Sequence, residues 1–274
     1  MLASDHEYGA LDLMWESLCD RAGATYVRRR VPAPAAAEEA VEAIWSGVTE
    51  RTRVLFVSHV TSQTSTRFDV EELCRRARDA GIVTIVDGAH APGHLPLDLN
   101  ALGADFYAGN CHKWLCAPKG AGFLSVGEEQ RERLEPLVVS WGWTPDAPFV
   151  RRHEQQGTRD PAAYLAVPAA IEFHREHWDE VRRRCHALLE DASSRLEALG
   201  LKPLTPRAAW PSQMASFALP PGRDVEDVRG ELLARRIEVY LHEWRDTAVL
   251  RVSIQAYNDQ EDIDRLEDAL RQIL

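Results

Sequence analysis

An α/β fold is predicted by three observations. Four short apolar runs recur along the first half of the chain, "TRVLFVSHV" (52–60), "IVTIVDGAH" (82–90), "ADFYAGN" (104–110) and "GAGFLSV" (120–126). The helical segment "DVEELCRRARDAG" (69–81) separates the first two. The runs are apolar almost throughout instead of alternating with polar residues. Strands of that kind are buried on both faces, as in a parallel or mixed sheet covered by helices.

Each element has a local justification. "VPAPAAAEEA" (31–40) reads as a turn entering a helix. The helix at 69–81 has Asp69 as N-cap, Glu72 to complete a capping box and Gly81 just past its end. From about residue 160 the texture changes to one long helical pattern. Pro161 stands at its first position, Pro168 predicts a kink, and Gly200 is a stop. After it come a strand (212–219), a helix (224–236), two strands (237–241 and 248–256) and a terminal helix (259–273). The expected division is a large domain over 1–165 and a small α/β domain over 166–274.

Composition narrows the function classes. The net charge of −11 argues against nucleic acid or an anionic membrane as partner. The "RRR" runs at 28–30 and 182–184 read as solvated faces. No apolar run approaches the roughly 18 residues of a membrane span. The first residues, "MLASDHEYGA", lack the basic and apolar regions of a signal peptide. Five scattered cysteines (19, 74, 111, 116, 185) without a CxxC pair suit a reducing, cytoplasmic compartment.

In open α/β sheets ligands bind beyond the carboxyl ends of the strands. Those ends carry Ser58, His59, Thr61 and Ser62, then Asp87 and His90, then Asn110, His112 and Lys113. Two chemistries could use them. Asp87, His90 and His94 have a D-x-x-H-x-x-x-H spacing that suits zinc. Pro92 and Gly93, however, interrupt the helix that would align the two histidines, so metal is the weaker reading. The other is pyridoxal 5′-phosphate, which needs a lysine for its aldehyde and a carboxylate against its pyridine nitrogen. Asp87 and Lys113, 26 residues further on, meet those two demands.

"VDGAHAPG" followed by "GNCHKWLCAPKGAGFL" resembles the class V aminotransferase family of fold-type I enzymes, most closely its isopenicillin N epimerase-like branch. "SDHEYGA", "SHVTSQT", "SWGW", "GTRDP" and "LRVSIQAYN" extend the resemblance over almost the whole chain, in order. The resemblance implies a pyridoxal 5′-phosphate enzyme acting on a small-molecule amino acid substrate. It makes Lys113 the Schiff-base lysine and proton shuttle, and it pairs Asp87 with the pyridine nitrogen. His90 and Ser62 are placed near the phenolic oxygen; desulfurases usually have Asn at the second position. His6 stacks on the ring and is a candidate acid for the opposite face. Asn110 and His112 bind the phosphate. Thr158 reaches the phosphate of a partner subunit, which implies a homodimer with shared sites. Arg251 holds the substrate carboxylate, a task suited to a guanidinium fork. Epimerase or racemase, C–S lyase of the hercynylcysteine sulfoxide type, and aminotransferase all remain open.

Other residues carry blander readings. Lys119 is a turn residue. Cys111 and Cys116 are small packers, and Trp114 and Leu115 anchor the turn after Lys113. Trp141 and Trp143 are core or pocket wall. The stretch 237–251 lacks the mobile cysteine of a desulfurase, which argues against persulfide chemistry, and carries His242 and Trp244 in its place. Relatives in this family carry a further N-terminal segment before "DHEYGA", with a first strand and a helix N-terminus that cups the phosphate. "MLAS" is therefore expected to be the end of a strand, and an inactive truncated remnant is the competing class.

Overall fold

The computed structural model describes every residue except Pro145 and Ser212. A six-stranded sheet forms the first half, in the order β2-β1-β3-β4-β5-β6. Its strands are β1 (Leu2–Ser4), β2 (Val27–Arg29), β3 (Val54–Ser58), β4 (Val83–Gly88), β5 (Phe106–Asn110) and β6 (Gly122–Val126). The first five run parallel, and β6 is antiparallel to β5. Helices α1 (Gly9–Arg21), α2 (Ala37–Trp45), α3 (Val70–Asp79) and α4 (Leu99–Leu102) make the crossovers between the parallel strands. The core beneath them gathers Leu2, Ile44, Leu55, Leu73 and Val86.

The register matters most for function. Ser58 pairs with Asp87, and Gly88 pairs with Gly109. The ends of β3, β4 and β5 are therefore level, and the residues just beyond each strand emerge at one edge.

After the short helices α5 (Phe149–Glu154) and α6 (Ala162–Leu165), the long helix α7 (Val167–Ala198) leads to a second sheet. It comprises β7 (Lys202–Pro203), β8 (Met214–Ala218), β9 (Tyr240–Trp244) and β10 (Thr247–Ser253) in the antiparallel order β7-β8-β10-β9. Helices α8 (Val225–Ala234) and α9 (Gln260–Ile273) complete this half. Leu189, Leu196, Phe217, Leu250 and Leu270 are buried together there.

Several expectations need adjustment. The break in the long helical pattern falls at Ala166, and Pro168 lies in the first turn of α7. Proline is tolerated there because the N–H it lacks has no partner in a first turn. Asp69 does cap α3 by accepting from the Glu72 amide (3.1 Å), but the Glu72 carboxylate pairs with Arg75 and Arg76 instead of closing a capping box. The strand expected at 237–241 lies at 240–244. Its partner β10 comes after a two-residue turn in which Arg245 and Asp246 both have positive φ (49° and 59°). That is the conformation a tight hairpin of right-twisted strands requires. The strand expected to start at 212 starts at Met214, and Ser212 lies outside the described residues. "MLAS" is a strand as expected, whereas α1 and the edge strand β2 lack the apolar patterns that would predict them.

Polar contacts tie the two halves together. Ser65 bonds to Ser216 (2.7 Å) and Thr66 to Thr205 (2.6 Å). Arg245 Nε donates to Asp5 (2.8 Å). Among the described residues no helix is long and apolar enough to cross a membrane.

Gly88 ends β4 against the buried ring of Tyr107, and a Cβ there would stand 2.1 Å from ring carbons. Gly88→Ala is expected to cost roughly 1–3 kcal/mol, the usual penalty for overpacking a core. Urea unfolding of the two proteins measures it.

Candidate active site

Asp87 is the last polar residue of β4. Its carboxylate accepts the Ala89 N–H (2.9 Å), and its backbone carbonyl accepts from His59 N–H (2.8 Å). Burial raises its pKa; the Ala89 N–H and the positive charge of Lys113 oppose that rise. Lys113 lies in the turn after β5. The chain has three lysines, and Lys119 and Lys202 are exposed while Lys113 is half-buried. Burial lowers the Lys113 pKa, Asp87 works against that, and Arg251 adds to it.

His90 completes the group. Its Nε2 is 3.3 Å from Lys113 Nζ, and its Nδ1 accepts from the Trp114 indole N–H (3.1 Å). Desolvation, with Lys113 and Arg251 nearby, holds the imidazole pKa well below its ordinary value. His94 is fully engaged elsewhere. Its Nδ1 bonds to the His90 carbonyl (3.1 Å) and its Nε2 to the Gln213 amide (3.2 Å). Both His94 nitrogens are taken, which counts against the zinc reading, and among the described residues no group of three or more His, Cys, Asp and Glu is gathered for a metal ion.

Arg251 reaches this edge from β10. Its Nη1 donates to the Ser62 carbonyl (2.7 Å) and hydroxyl (3.0 Å), and its guanidinium lies 4.3 Å from the centre of the Tyr240 ring. Its Nε is buried without a hydrogen-bond partner among the described residues. A buried donor left unmade is costly and calls for an acceptor. Ser62 is thus tied to Arg251, and its hydroxyl is engaged there. Asn110 ends β5 opposite Gly122. His112 bonds through Nδ1 to the Ala121 carbonyl (3.0 Å), which leaves Nε2 as the nitrogen outside that contact.

His6 makes its hydrogen bonds outside this cluster. His6 is buried with Nδ1 on Thr64 (2.7 Å) and Nε2 on the Val31 carbonyl (3.1 Å). Its ring packs against Trp244 and Phe68, and burial pushes its pKa down to about 4. Both nitrogens are thus committed to neighbouring protein groups. Thr158 is exposed, beside Gly157 in a surface segment. Trp141 and Trp143 are exposed, so they are not core residues. Cys111 is buried with Leu115, Ala117 and Ala121, and burial raises its thiol pKa. Cys116, at φ 62°, accepts from the Gln255 amide (3.4 Å).

Sequence reasoning missed Glu7. It is buried at the end of β1, accepting from the hydroxyls of Ser4 (2.5 Å) and Ser58 (2.6 Å). Burial pushes its pKa up to about 8, and Asp87 adds to the rise. No periodicity marks such a residue, because the burial comes from neighbouring strands.

The donor set suits pyridoxal phosphate. A half-buried amine, a buried carboxylate, an imidazole held neutral by burial and a guanidinium with a spare donor meet at one sheet edge, and the first two are what a pyridoxal phosphate enzyme asks for. A family model described as "Aminotransferase class-V" matches residues 1–266. The chain belongs to this family of pyridoxal 5′-phosphate-dependent enzymes. It is 39% identical to the isopenicillin N epimerase of Amycolatopsis lactamdurans, over 100% of this chain and 73% of that protein. It is 40% identical to the isopenicillin N epimerase of Streptomyces clavuligerus, over 98% and 73%. Among solved structures, the cysteine desulfurase of Thermococcus onnurineus NA1 superposes with a TM-score of 0.82 at 22% identity, over 99% of this chain and 72% of that one.

The buried Glu7 sets a pH dependence. Its folded pKa of about 8 lies above the ordinary carboxylate value of 4.5, so between them the folded state holds a proton that the unfolded state has lost. Stability contributed by this residue is present below about pH 4.5 and is lost as pH rises toward 8, by at most roughly 1.4 kcal/mol per pH unit. Glu7→Gln is expected to unfold with a flatter dependence than the parent protein across that window, read from denaturant midpoints at several pH values.

Proposed function

We propose that the protein is an epimerase or racemase of the isopenicillin N epimerase type, inverting the α-carbon of an amino acid group through Lys113. The observation that carries the reading is the Lys113–His90–Asp87 cluster, with Arg251 alongside carrying an unpartnered buried Nε. The 39–40% identity to two isopenicillin N epimerases supports the choice of reaction.

Bound pyridoxal phosphate supplies an aldehyde that takes up the substrate amine and a pyridinium ring that absorbs negative charge from the α-carbon. Asp87 would hold the proton on the ring nitrogen. His90 would serve the phenolic oxygen. Asn110 and His112, in the turn at the end of β5, serve the phosphate, and Thr158 serves the phosphate of a partner subunit in a homodimer. Arg251 clamps the substrate carboxylate and so sets the α-proton toward Lys113. Lys113, its basicity moderated by burial, removes that proton. Inversion also needs a donor on the opposite face; both His6 nitrogens are engaged, by Thr64 and by the Val31 carbonyl.

The test is to purify the chain with added pyridoxal phosphate, beside Lys113→Ala, and record visible spectra before and after borohydride. Candidate amino acids are then incubated with it in D2O. We expect a lysine-dependent visible band that reduction removes. Deuterium should enter the α-carbon with inversion and without loss of the amine. Sulfide release from a cysteine-type substrate would show a lyase, and accumulation of the aminated cofactor a transaminase. Absence of a band in both proteins would mark an inactive remnant. Arg251→Lys is expected to lower kcat/KM roughly ten- to hundredfold, the worth of a charge-assisted hydrogen bond; steady-state kinetics measures it.

A further inference from the structure

We propose that Trp114 is a positioning residue that fixes the His90 proton on Nε2, the nitrogen facing Lys113, and thereby makes Lys113 Nζ the acceptor in their hydrogen bond.

An indole N–H can only donate. It lies 3.1 Å from His90 Nδ1, so that nitrogen must present its lone pair. A neutral imidazole has one lone pair and one N–H. The N–H is therefore on Nε2, 3.3 Å from Lys113 Nζ. Two donors cannot share that contact, so the amine meets the ring through its own lone pair, the uncharged and nucleophilic form. Burial and the neighbouring charge of Arg251 disfavour the imidazolium, which would also turn a second N–H against the indole.

Trp114 is itself held, through its ring and through its backbone. The His94 ring stacks on it at 4.1 Å. The Trp114 carbonyl accepts from His174 Nε2 (3.1 Å). Gly93, at φ 76°, lets the two turns touch: a Cβ there would stand 2.5 Å from the Leu115 backbone nitrogen. His94, which the sequence offered as a metal ligand, instead steadies the residue that sets the tautomer.

The consequence for the cofactor rests on the reading of Lys113 given above. An oxygen anion standing beside His90 would meet an N–H and not a lone pair.

The experiment uses protein labelled with 15N-histidine and stripped of cofactor. Long-range 1H–15N spectra assign the tautomer of His90, and the His90→Gln variant identifies its signals. We expect the Nε2–H form in the parent protein and a rise of the Nδ1–H form in Trp114→Phe. The rate at which Trp114→Phe captures added pyridoxal phosphate should fall about two- to tenfold, the worth of one uncharged hydrogen bond. Adding Trp114→Phe to His90→Gln should lower that rate no further. An Nδ1–H form in the parent protein overturns the proposal. So does a Trp114→Phe protein with native circular dichroism and an unchanged tautomer. If that variant fails to fold, the parent spectrum alone decides. The tautomer is read without cofactor, so its failure is distinct from failure of the visible band.

Discussion

The site depends on a buried carboxylate that, among the described residues, accepts one backbone N–H and has the Lys113 amine nearby. Asp87 would be costly at the end of β4 without those partners, because burial penalises its charge. Lys113 carries the matching cost in the opposite sense. Each moderates the other, and a ligand with a protonated ring nitrogen and an aldehyde would answer both. This is why two burial penalties coexist at one edge of a stable sheet.

The sheet supplies the rest of the geometry. Parallel strands in level register deliver the ends of β3, β4 and β5 to the same place. The antiparallel second sheet contributes Arg251, held by Ser62 from the first half. The site thus spans both halves of the molecule, and the hydroxyl contacts Ser65–Ser216 and Thr66–Thr205 keep them in place.

Much of this was legible in the residues. The apolar strands and the D-x-x-H and H-K pairs pointed to the edge and to its chemistry. Other features were hidden for physical reasons. β2 is an edge strand whose "VRR" carries no apolar signal. Glu7 is buried by tertiary packing alone. His6 stands beside a strand end like a site residue, yet Thr64 and the Val31 carbonyl consume both its nitrogens. Trp114 read as an apolar anchor, and it is buried. The sequence could not show that its N–H reaches back 24 residues to His90. Spacing predicts which residues share an edge, and hydrogen-bond partners decide what each can do there.

The central claim is that Lys113, alone of the three lysines, carries the cofactor. Borohydride reduction of the protein loaded with pyridoxal phosphate, with peptide mass mapping afterwards, tests it most directly. The added mass is expected on the peptide containing Lys113 and on neither of those containing Lys119 or Lys202. Label on either of those exposed lysines, with Lys113 unmodified, would contradict the claim.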